Sequence, residues 1–227
     1  MGGGGPGYEE AAKRPPPEPE ELLLAQRKER IGQVVALRTR TLTVVLDRLE
    51  DTFNMAAVLR TCEGMGLQEL HVIENPDVPF HPNAKVTQGC DKWLDVHTYP
   101  DFAACRAALK ARGFAIWASA LGEGGQSLFS LRFDQKVALV FGNERFGVSA
   151  DVKAGADGTF WIPMRGFTQS FNISAAASAS ITRAVAWRTE HLGPGGDLTA
   201  EEAQALTERF YLLSVKQRGK LYGGKSR

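Results

Sequence analysis

The amino-acid sequence predicts an α/β fold built on a largely parallel sheet. Short apolar segments of β character alternate with segments of helical periodicity along most of the 227 residues. The clearest case is residues 42–74, where a strand pattern, a helical pattern and a second strand pattern follow one another. Such a βαβ unit places its two strands parallel in one sheet.

The elements can be assigned in order from these patterns. We expect strands at residues 42–49, 67–74, 114–120, 136–141 and 159–164. We expect helices at residues 54–66, 101–112 and about 171–191, with a last helix from near Thr199. In the first of these helices, Asn54 is placed to cap the start, Gly64 and Gly66 to end it, and Arg60 points away from the apolar stripe.

Composition indicates one main domain with appendages. A hydrophobic content of 43% is ordinary for a globular protein. Residues 1–18 are rich in Gly, Pro and Glu, so they are predicted to form a disordered tail. We divide the remainder into a basic helical segment at residues 19–40, a main domain at 41–192, and a C-terminal helix with a basic tail at 193–227.

Several classes of protein receive little support. The three cysteines, Cys62, Cys90 and Cys105, fit neither a disulfide framework nor a zinc spacing, so reduced thiols and no metal are expected. No signal peptide or run of about 18 apolar residues is present, which predicts a soluble, cytoplasmic protein with no membrane partner. Neither a dinucleotide-binding glycine motif nor a P-loop occurs.

Basic residues are concentrated at both ends, although the net charge is only +1. Between residues 25 and 40, a single acid, Glu29, stands among the bases Arg27, Lys28, Arg30, Arg38 and Arg40. From residue 209 onward there is no acid among Arg209, Lys216, Arg218, Lys220, Lys225 and Arg227. A solvated helix face explains either flank singly, whereas two flanks favour contact with a phosphate backbone.

Two loops are candidates for a binding site. Residues 142–147 (GNERFG) follow an apolar strand, and residues 165–172 (RGFTQSFN) lead into a helix. In parallel sheets ligands bind beyond the carboxyl ends of the strands, where both loops should lie. Structural explanations exist for each: the first could be a plain strand-to-helix turn, and Ser170 and Asn172 could simply cap the helix.

Three motifs together resemble a known family. NMAAVLRT (54–61), VALVFGNERFG (137–147) and IPMRGFTQSFNISAA (162–176) are similar, in order and spacing, to the motifs of SPOUT RNA 2′-O-methyltransferases. The similarity is greatest to the tRNA (guanosine-2′-O)-methyltransferases that modify guanosine 18 of the D-loop. The resemblance implies an α/β fold with a C-terminal trefoil knot, extra helices at both ends, S-adenosylmethionine as cofactor, tRNA as substrate and a homodimer.

The resemblance also implies roles for individual residues. The catalytic set would be Asn54, Arg60, Glu144, Ser170 and Asn172. The cofactor set would be Ser119, Gly142, Ile162, Met164 and Phe171. RNA would be bound by Arg27, Arg30, Arg38 and Lys110. Phe53 replaces a polar residue common before Asn54, and Phe171 replaces a usual Leu.

Some choices stay open at this level. The resemblance assigns Arg60 the role of base, yet arginine side chains remain protonated in proteins, so a clamp on a substrate phosphate is the alternative. The substrate could instead be ribosomal RNA or another tRNA position, although a short basic helix rather than a folded domain before residue 41 favours tRNA. A non-catalytic RNA-binding protein is disfavoured by the intact polar set.

Overall fold

The computed structural model describes residues 21, 23–121 and 124–222, with backbone only for residues 216–222. The tail predicted at residues 1–18 and the side chains of the last basic residues lie outside the described part. The chain divides into two compact units. One holds the described residues up to Val35 together with those from Ala200 onward, and the other is Ala36–Thr199.

The described residues form seven α-helices and seven strands. Their order is α1 (Ala25–Val35), β1 (Leu42–Asp47), α2 (Thr52–Gly64), β2 (Glu69–Ile73), α3 (Ala84–Thr87), β3 (Asp95–Tyr99), α4 (Phe102–Ala111), β4 (Ala115–Ser119), β5 (Gln126–Ser127), β6 (Val137–Phe141), α5 (Ala150–Gly155), β7 (Gly158–Trp161), α6 (Ile173–Leu192) and α7 (Ala200–Tyr222).

The smaller unit consists of α1 and α7 packed together. Ile31 and Val35 of α1 and Leu206 and Phe210 of α7 are buried. A hydrogen bond from Arg27 Nε to Ser214 Oγ, 3.3 Å long, also joins the two helices. Within the basic segment predicted at residues 19–40, the structure shows a helix over Ala25–Val35.

The larger unit is built on one seven-stranded sheet of order β3-β2-β1-β6-β4-β7-β5. Every pair of neighbouring strands is parallel, which confirms the predicted sheet type. All residues of the adjacent strands β1 and β6 are buried, as expected of strands covered on both faces. The carboxyl ends of these strands consequently share one edge of the sheet.

Helices cover the two faces of the sheet. On one face, Met55, Val58 and Leu59 of α2 share a core with Ile181 and Ala184 of α6. On the other, Phe102, Cys105 and Leu109 of α4 meet Val152 of α5 and the opposite side chains of the strands. The small residues of α6 allow its close packing on α2. This packing holds the first turns of the two helices at fixed positions relative to each other.

Sequence patterns missed or misplaced a few local features. Strand β3 is half-exposed and β5 has only two residues, so neither presents an apolar run. Strand β7 ends at Trp161, before Pro163, which cannot donate a ladder hydrogen bond. The cap of α2 is Asp51, whose carboxylate accepts the amides of Phe53 and Asn54, so the prediction of Asn54 as the cap is wrong. Asn54 lies in the first turn, which leaves its side chain available for tertiary contacts.

Candidate active site

Three loops meet at the carboxyl edge of the sheet. They follow β1 (residues 48–51), β6 (residues 142–149) and β7 (residues 162–172). The second and third contain the two loops selected from the sequence. Because the strands are parallel, these loops and the starts of α2 and α6 lie at the same end of the molecule's larger unit.

A chain of hydrogen bonds joins Glu144, Asn54 and Asn172, one residue from each of three separate segments. Asn54 Nδ2 donates to Glu144 Oε1 at 3.1 Å, and Asn172 Nδ2 donates to Asn54 Oδ1 at 3.1 Å. Asn54 is only 7% exposed, and its Nδ2 also donates to Asp51 Oδ2 at 3.4 Å, so its amide is held by three side chains. The structure thus brings together three of the five residues predicted to be catalytic.

Both ends of this polar chain are fixed by backbone groups. Glu144 accepts the amides of Glu50 and Asp51, each at 3.3 Å, through different carboxylate oxygens. Asn172 caps α6, since its Oδ1 accepts the amides of Ser174 and Ala175 at 2.9 and 3.4 Å. Side chains restrained in this way are positioned before any ligand arrives.

A cavity of about 330 Å³ lies beside this arrangement. Four of the predicted cofactor residues line it, together with one of the catalytic set: Ser119, Ile162, Met164, Phe171 and Ser170. The loop after β6 contributes Phe146, Gly147 and Val148 to the wall. The volume lies in the range of small-molecule sites, and a mostly apolar wall with a few polar groups is their usual composition.

Gly142 has a different place from the one predicted, because it is not part of the cavity wall. A Cβ built on Gly142 would lie 2.0 Å from the carbonyl carbon of Gly147 and from the amide nitrogen of Val148. The loop therefore folds back onto the end of β6 with no room for a side chain. Glycine at this position shapes the loop that carries Glu144.

Arg60 is separated from the other catalytic candidates within the single chain. Its exposed guanidinium donates from Nη1 to the carbonyl of Val86 at 3.3 Å, and it lies neither in the polar chain nor in the cavity wall. Arg60 lies six positions beyond Asn54 in α2, a rise of about 9 Å along the helix. The side chain consequently projects from a different part of that helix.

The predicted RNA-binding residues fall into three environments. Arg27 and Arg30 are exposed on α1. Lys110, on α4, is partly buried and forms an ion pair with Asp157 at 2.5 Å. Any RNA contact by Lys110 would compete with that pair.

For Arg38 the prediction of an exposed RNA-binding side chain is wrong. Arg38 is 0% exposed, its Nη2 pairs with Glu63 Oε1 at 2.8 Å, and its Nη1 donates to the carbonyl of Leu67 at 3.0 Å. The charge holds the end of α2 against the segment that precedes β1. Sequence patterns could not distinguish this buried arginine from its exposed neighbours, because its partners are 25 to 29 positions away.

Three residues that hold the site together, Asp51, Asn143 and Arg48, were not singled out by the sequence analysis. Asn143 donates from Nδ2 to the carbonyl of Arg48 at 3.0 Å and to Glu50 Oε1 at 3.1 Å. Asp51 was detectable, since an Asp directly before a helical segment is a common cap signal. Asn143 lies within the selected loop 142–147 but was not singled out, and no pattern marked Arg48, because their contacts depend on the neighbouring positions of β1 and β6 in the sheet.

Two negative findings concern the described residues alone. No group of three or more His, Cys, Asp or Glu there is arranged to hold a metal ion. No helix within the same residues is long and apolar enough to cross a bilayer.

Comparison with known proteins places this site in a family context. The model of the SpoU rRNA Methylase family matches residues 41–182. The tRNA (guanosine(18)-2′-O)-methyltransferase of Thermus thermophilus is 35% identical over 158 residues, which are 70% of this chain and 81% of that protein. The enzyme of the same description from Borreliella burgdorferi is 39% identical over 153 residues, 67% of this chain and 70% of that one.

A solved structure gives the same result for the fold. The TrmH/SpoU tRNA modifying enzyme of A. aeolicus superposes with a TM-score of 0.77 at 28% identity, covering 84% of this chain and 97% of that one. The matched residues 41–182 contain the polar chain, the cavity loops and Arg60. This chain therefore belongs to the SpoU methylase family.

Proposed function

We propose that this protein transfers the methyl group of S-adenosylmethionine to the ribose 2′-hydroxyl of guanosine 18 in the D-loop of tRNA. The observation that carries the proposal is the hydrogen-bonded chain of Glu144, Asn54 and Asn172 beside a small-molecule cavity. The two hydrogen bonds of this chain are each 3.1 Å long. Relatives named as guanosine-18 methyltransferases are 35% to 39% identical to this chain. Such a substrate implies a cytoplasmic location.

The cavity fits the proposed cofactor in size and in chemistry. Its volume of about 330 Å³ suits a nucleoside with a short side chain. Ile162, Met164 and Phe171 offer apolar surface for the purine, whereas Ser119 and Ser170 offer hydroxyls for the polar groups. S-adenosylmethionine, when bound, would supply an electrophilic methyl group. The protein has to align the ribose oxygen that attacks this methyl group, while the hydroxyl proton passes to water and the thioether product leaves.

The polar chain supplies that alignment. Asn54 and Asn172 are locked by mutual hydrogen bonds, and Glu144 is locked by two backbone amides, so all three resist reorientation when the ribose arrives. Ser170, exposed at the cavity wall, is the hydroxyl best placed to contact the reacting sugar. Holding reactants in line accounts for much of the rate in such reactions.

Arg60 acts, in this proposal, from the second subunit of a homodimer. Its separation from the cavity within one chain supports this arrangement, since a two-fold axis can bring an exposed residue of one subunit to the site of the other. We assign it the clamping of a substrate phosphate, because a guanidinium stays protonated and binds phosphate through paired hydrogen bonds. The loop at residues 162–172 would form the predicted trefoil knot around the cofactor.

Arg27 and Arg30 provide the proposed contact with the tRNA backbone. Both are exposed on α1, and each phosphate contact contributes about 0.7 to 0.9 to the slope of log affinity against log salt. The variant Arg27→Gln/Arg30→Gln should therefore lower this slope by about 1.5 in tRNA binding assays. Arg132→Gln, which removes an exposed arginine paired with Asp134 at 2.7 Å, is the matched control.

The function is tested with labelled S-adenosylmethionine and three RNA pools: tRNA, tRNA carrying another nucleotide at position 18, and ribosomal RNA. We expect label in the first pool only, recovered as 2′-O-methylguanosine by nucleoside mass spectrometry. Label in ribosomal RNA alone would assign the ribosomal substrate that the family description names. Absence of label in every pool would favour a non-catalytic RNA-binding protein.

The dimeric site is tested by mixing two inactive variants, Arg60→Ala and Ser170→Ala. If Arg60 acts across the interface, a mixed dimer has one complete site, so random pairing restores about a quarter of wild-type activity. If Arg60 acts within its own chain, no mixed dimer has a complete site and activity stays at the level of the separate variants. Single-turnover rates at saturating tRNA separate the loss of chemistry from the loss of binding.

A further inference from the structure

Arg48 has an unusual backbone conformation at the end of the central strand β1. Its φ angle is +53°, in the left-handed region that few residues other than glycine, asparagine and aspartate adopt. Its amide still donates to the carbonyl of Ile73 at 3.1 Å, so the turn begins directly after a ladder hydrogen bond with β2. A non-glycine residue stays in this conformation only when its surroundings require it.

The backbone carbonyl of Arg48 holds the first residue of a catalytic loop. It accepts Asn143 Nδ2 at 3.0 Å, and Asn75 Nδ2 approaches it from the other side at 3.4 Å. Asn143 also accepts the amide of Arg145 through Oδ1 at 2.8 Å, which closes the first turn of the loop. The left-handed turn thus aims a carbonyl at the start of the segment that carries Glu144.

The guanidinium of Arg48 holds the last residue of the same loop and the first turn of α5. Its Nη1 donates to Ser149 Oγ at 2.7 Å, and its Nη2 pairs with Asp151 Oδ2 at 3.0 Å. The hydrogen bond from Arg48 is the main reason that the pKa of Asp151 is lowered to about 2. The buried carboxylate of Asp47 adds to this anchor, because it accepts both the amide and the hydroxyl of Ser149 at 2.7 Å.

Between these two anchors lies the part of the loop that serves the site. It contains Glu144, which binds Asn54, and Phe146, Gly147 and Val148, which line the cavity. We infer that Arg48 is a positioning residue that fixes loop 143–149 at both ends, through its carbonyl and through its guanidinium, and so sets the position of Glu144 and of the cavity wall. The inference rests on the proposed function for its link to methyl transfer.

Two single variants and their combination test the two anchors separately. Arg48→Asn keeps a residue that tolerates the left-handed conformation, and therefore the carbonyl, but removes the guanidinium. Asn143→Ala removes the contact with the carbonyl, together with the hydrogen bonds of Asn143 to Glu50 and to the Arg145 amide, and keeps the guanidinium. Each single variant should lower the single-turnover rate about 10-fold and weaken S-adenosylmethionine binding, whereas the double variant should lower the rate about 100-fold. Arg132→Ala, an exposed arginine in an ion pair with Asp134, should match the wild type.

Amide hydrogen exchange distinguishes positioning from general stability. In the single variants we expect faster exchange confined to residues 144–148, with the thermal midpoint within a few degrees of the wild type. Faster hydrogen exchange throughout the sheet would overturn the inference. So would single-turnover rates and cofactor affinities equal to those of the wild type in both variants. Hydrogen exchange and calorimetry with S-adenosylmethionine need no RNA, so they test the anchors separately from methyl transfer. If the wild-type protein methylates no tRNA but the variants still show the localised change in exchange, the anchors are supported and only the proposed function is refuted.

Discussion

Two clusters of polar side chains, each with a buried member, lie in the larger unit, and they differ in what surrounds them. At the carboxyl edge of the sheet, Asn54 joins Glu144 and Asn172 beside a cavity. On β2, next to β3, Glu69 and His71 are buried at 3% and 1% exposure, and neither lines that cavity. Both clusters contain groups that elementary energetics would not leave in a core without partners.

In the cluster on β2 and β3, the buried polar groups form most of their hydrogen bonds and ion pairs with neighbouring side chains. Glu69 pairs with Arg40 and, at 2.6 Å, with Arg112. Burial pushes the pKa of Glu69 upward, but the hydrogen bonds and charges of Arg112 and Arg40 outweigh burial and hold the pKa below its ordinary value. His71 Nδ1 lies 3.1 Å from the hydroxyl of Tyr99, and its ring stacks on His97.

This difference shows that altered titration is a weak guide to the active site of this protein. Burial, helped by the charge of His97, lowers the pKa of His71 to about 4, a large shift in a residue that does not line the cavity. Ion pairs inside a sheet produce such shifts as readily as catalysis does. What distinguishes the carboxyl edge is that three loops present restrained polar groups next to a space that a ligand can enter.

The strongest test of the comparison is Asn54→Ala. It removes the central residue of the polar chain, so we expect the single-turnover rate of methyl transfer to fall about 100- to 1000-fold, equivalent to roughly 3 to 4 kcal/mol. Thr61→Val is the matched control, because Thr61 Oγ1 and Ser178 Oγ form another bridge between α2 and α6 at 2.8 Å. Equal rates in the two variants would mean that the chain is only a structural link between helices.

The converse test is Glu69→Ala on the opposite cluster. Removing this carboxylate leaves Arg40 and Arg112 without their shared partner, and we expect unfolding in urea to become easier by about 3 kcal/mol. This expected loss of unfolding free energy is at the low end for buried ion pairs, because the guanidiniums of Arg40 and Arg112 both reach solvent. The rate of methyl transfer per folded molecule should be unchanged, and a loss of rate comparable to that of Asn54→Ala would erase the distinction between the clusters.

A smaller effect should appear in the pH dependence of stability. The ordinary pKa of histidine is 6.5 and that of folded His71 is about 4, so between these values the unfolded chain binds more protons and stability falls as pH falls. From pH 7.5 to pH 5 this contributes a loss of about 2 kcal/mol. Glu69, His97 and Arg112 also face this group, and Glu69 contributes a loss in the same direction at lower pH.

The contribution of His71 can be isolated with two substitutions of the same kind. His71→Gln should remove most of the decline between pH 6.5 and 5 in urea unfolding. His81→Gln, at an exposed loop position, should keep the wild-type decline. The same slope in both variants would place the acid sensitivity elsewhere in the molecule.

The sequence predicted the elements that follow from local patterns. Strands β1 and β6 were found as short apolar runs, and helix α2 was found because its apolar residues repeat at the helical period. The motif residues Glu144, Asn54 and Asn172 were selected through a resemblance, and their mutual contacts emerged only when β1, β6 and α6 were placed together. Arg38 shows the limit, because its burial depends on Glu63 and Leu67, which no local pattern connects to it.

Asn172 also restricts which amino acids can occupy its position. Its Oδ1 caps α6 by accepting the amides of Ser174 and Ala175, while its Nδ2 donates to Asn54. Aspartate would keep the cap but has no hydrogen to donate, serine would cap but has a shorter side chain, and glutamine would have the donor but is a poor cap. Each common replacement therefore satisfies one requirement and fails the other. In a library of all substitutions at this position, asparagine alone should preserve both the start of α6 and the polar chain, which leaves this corner of the protein little freedom to change.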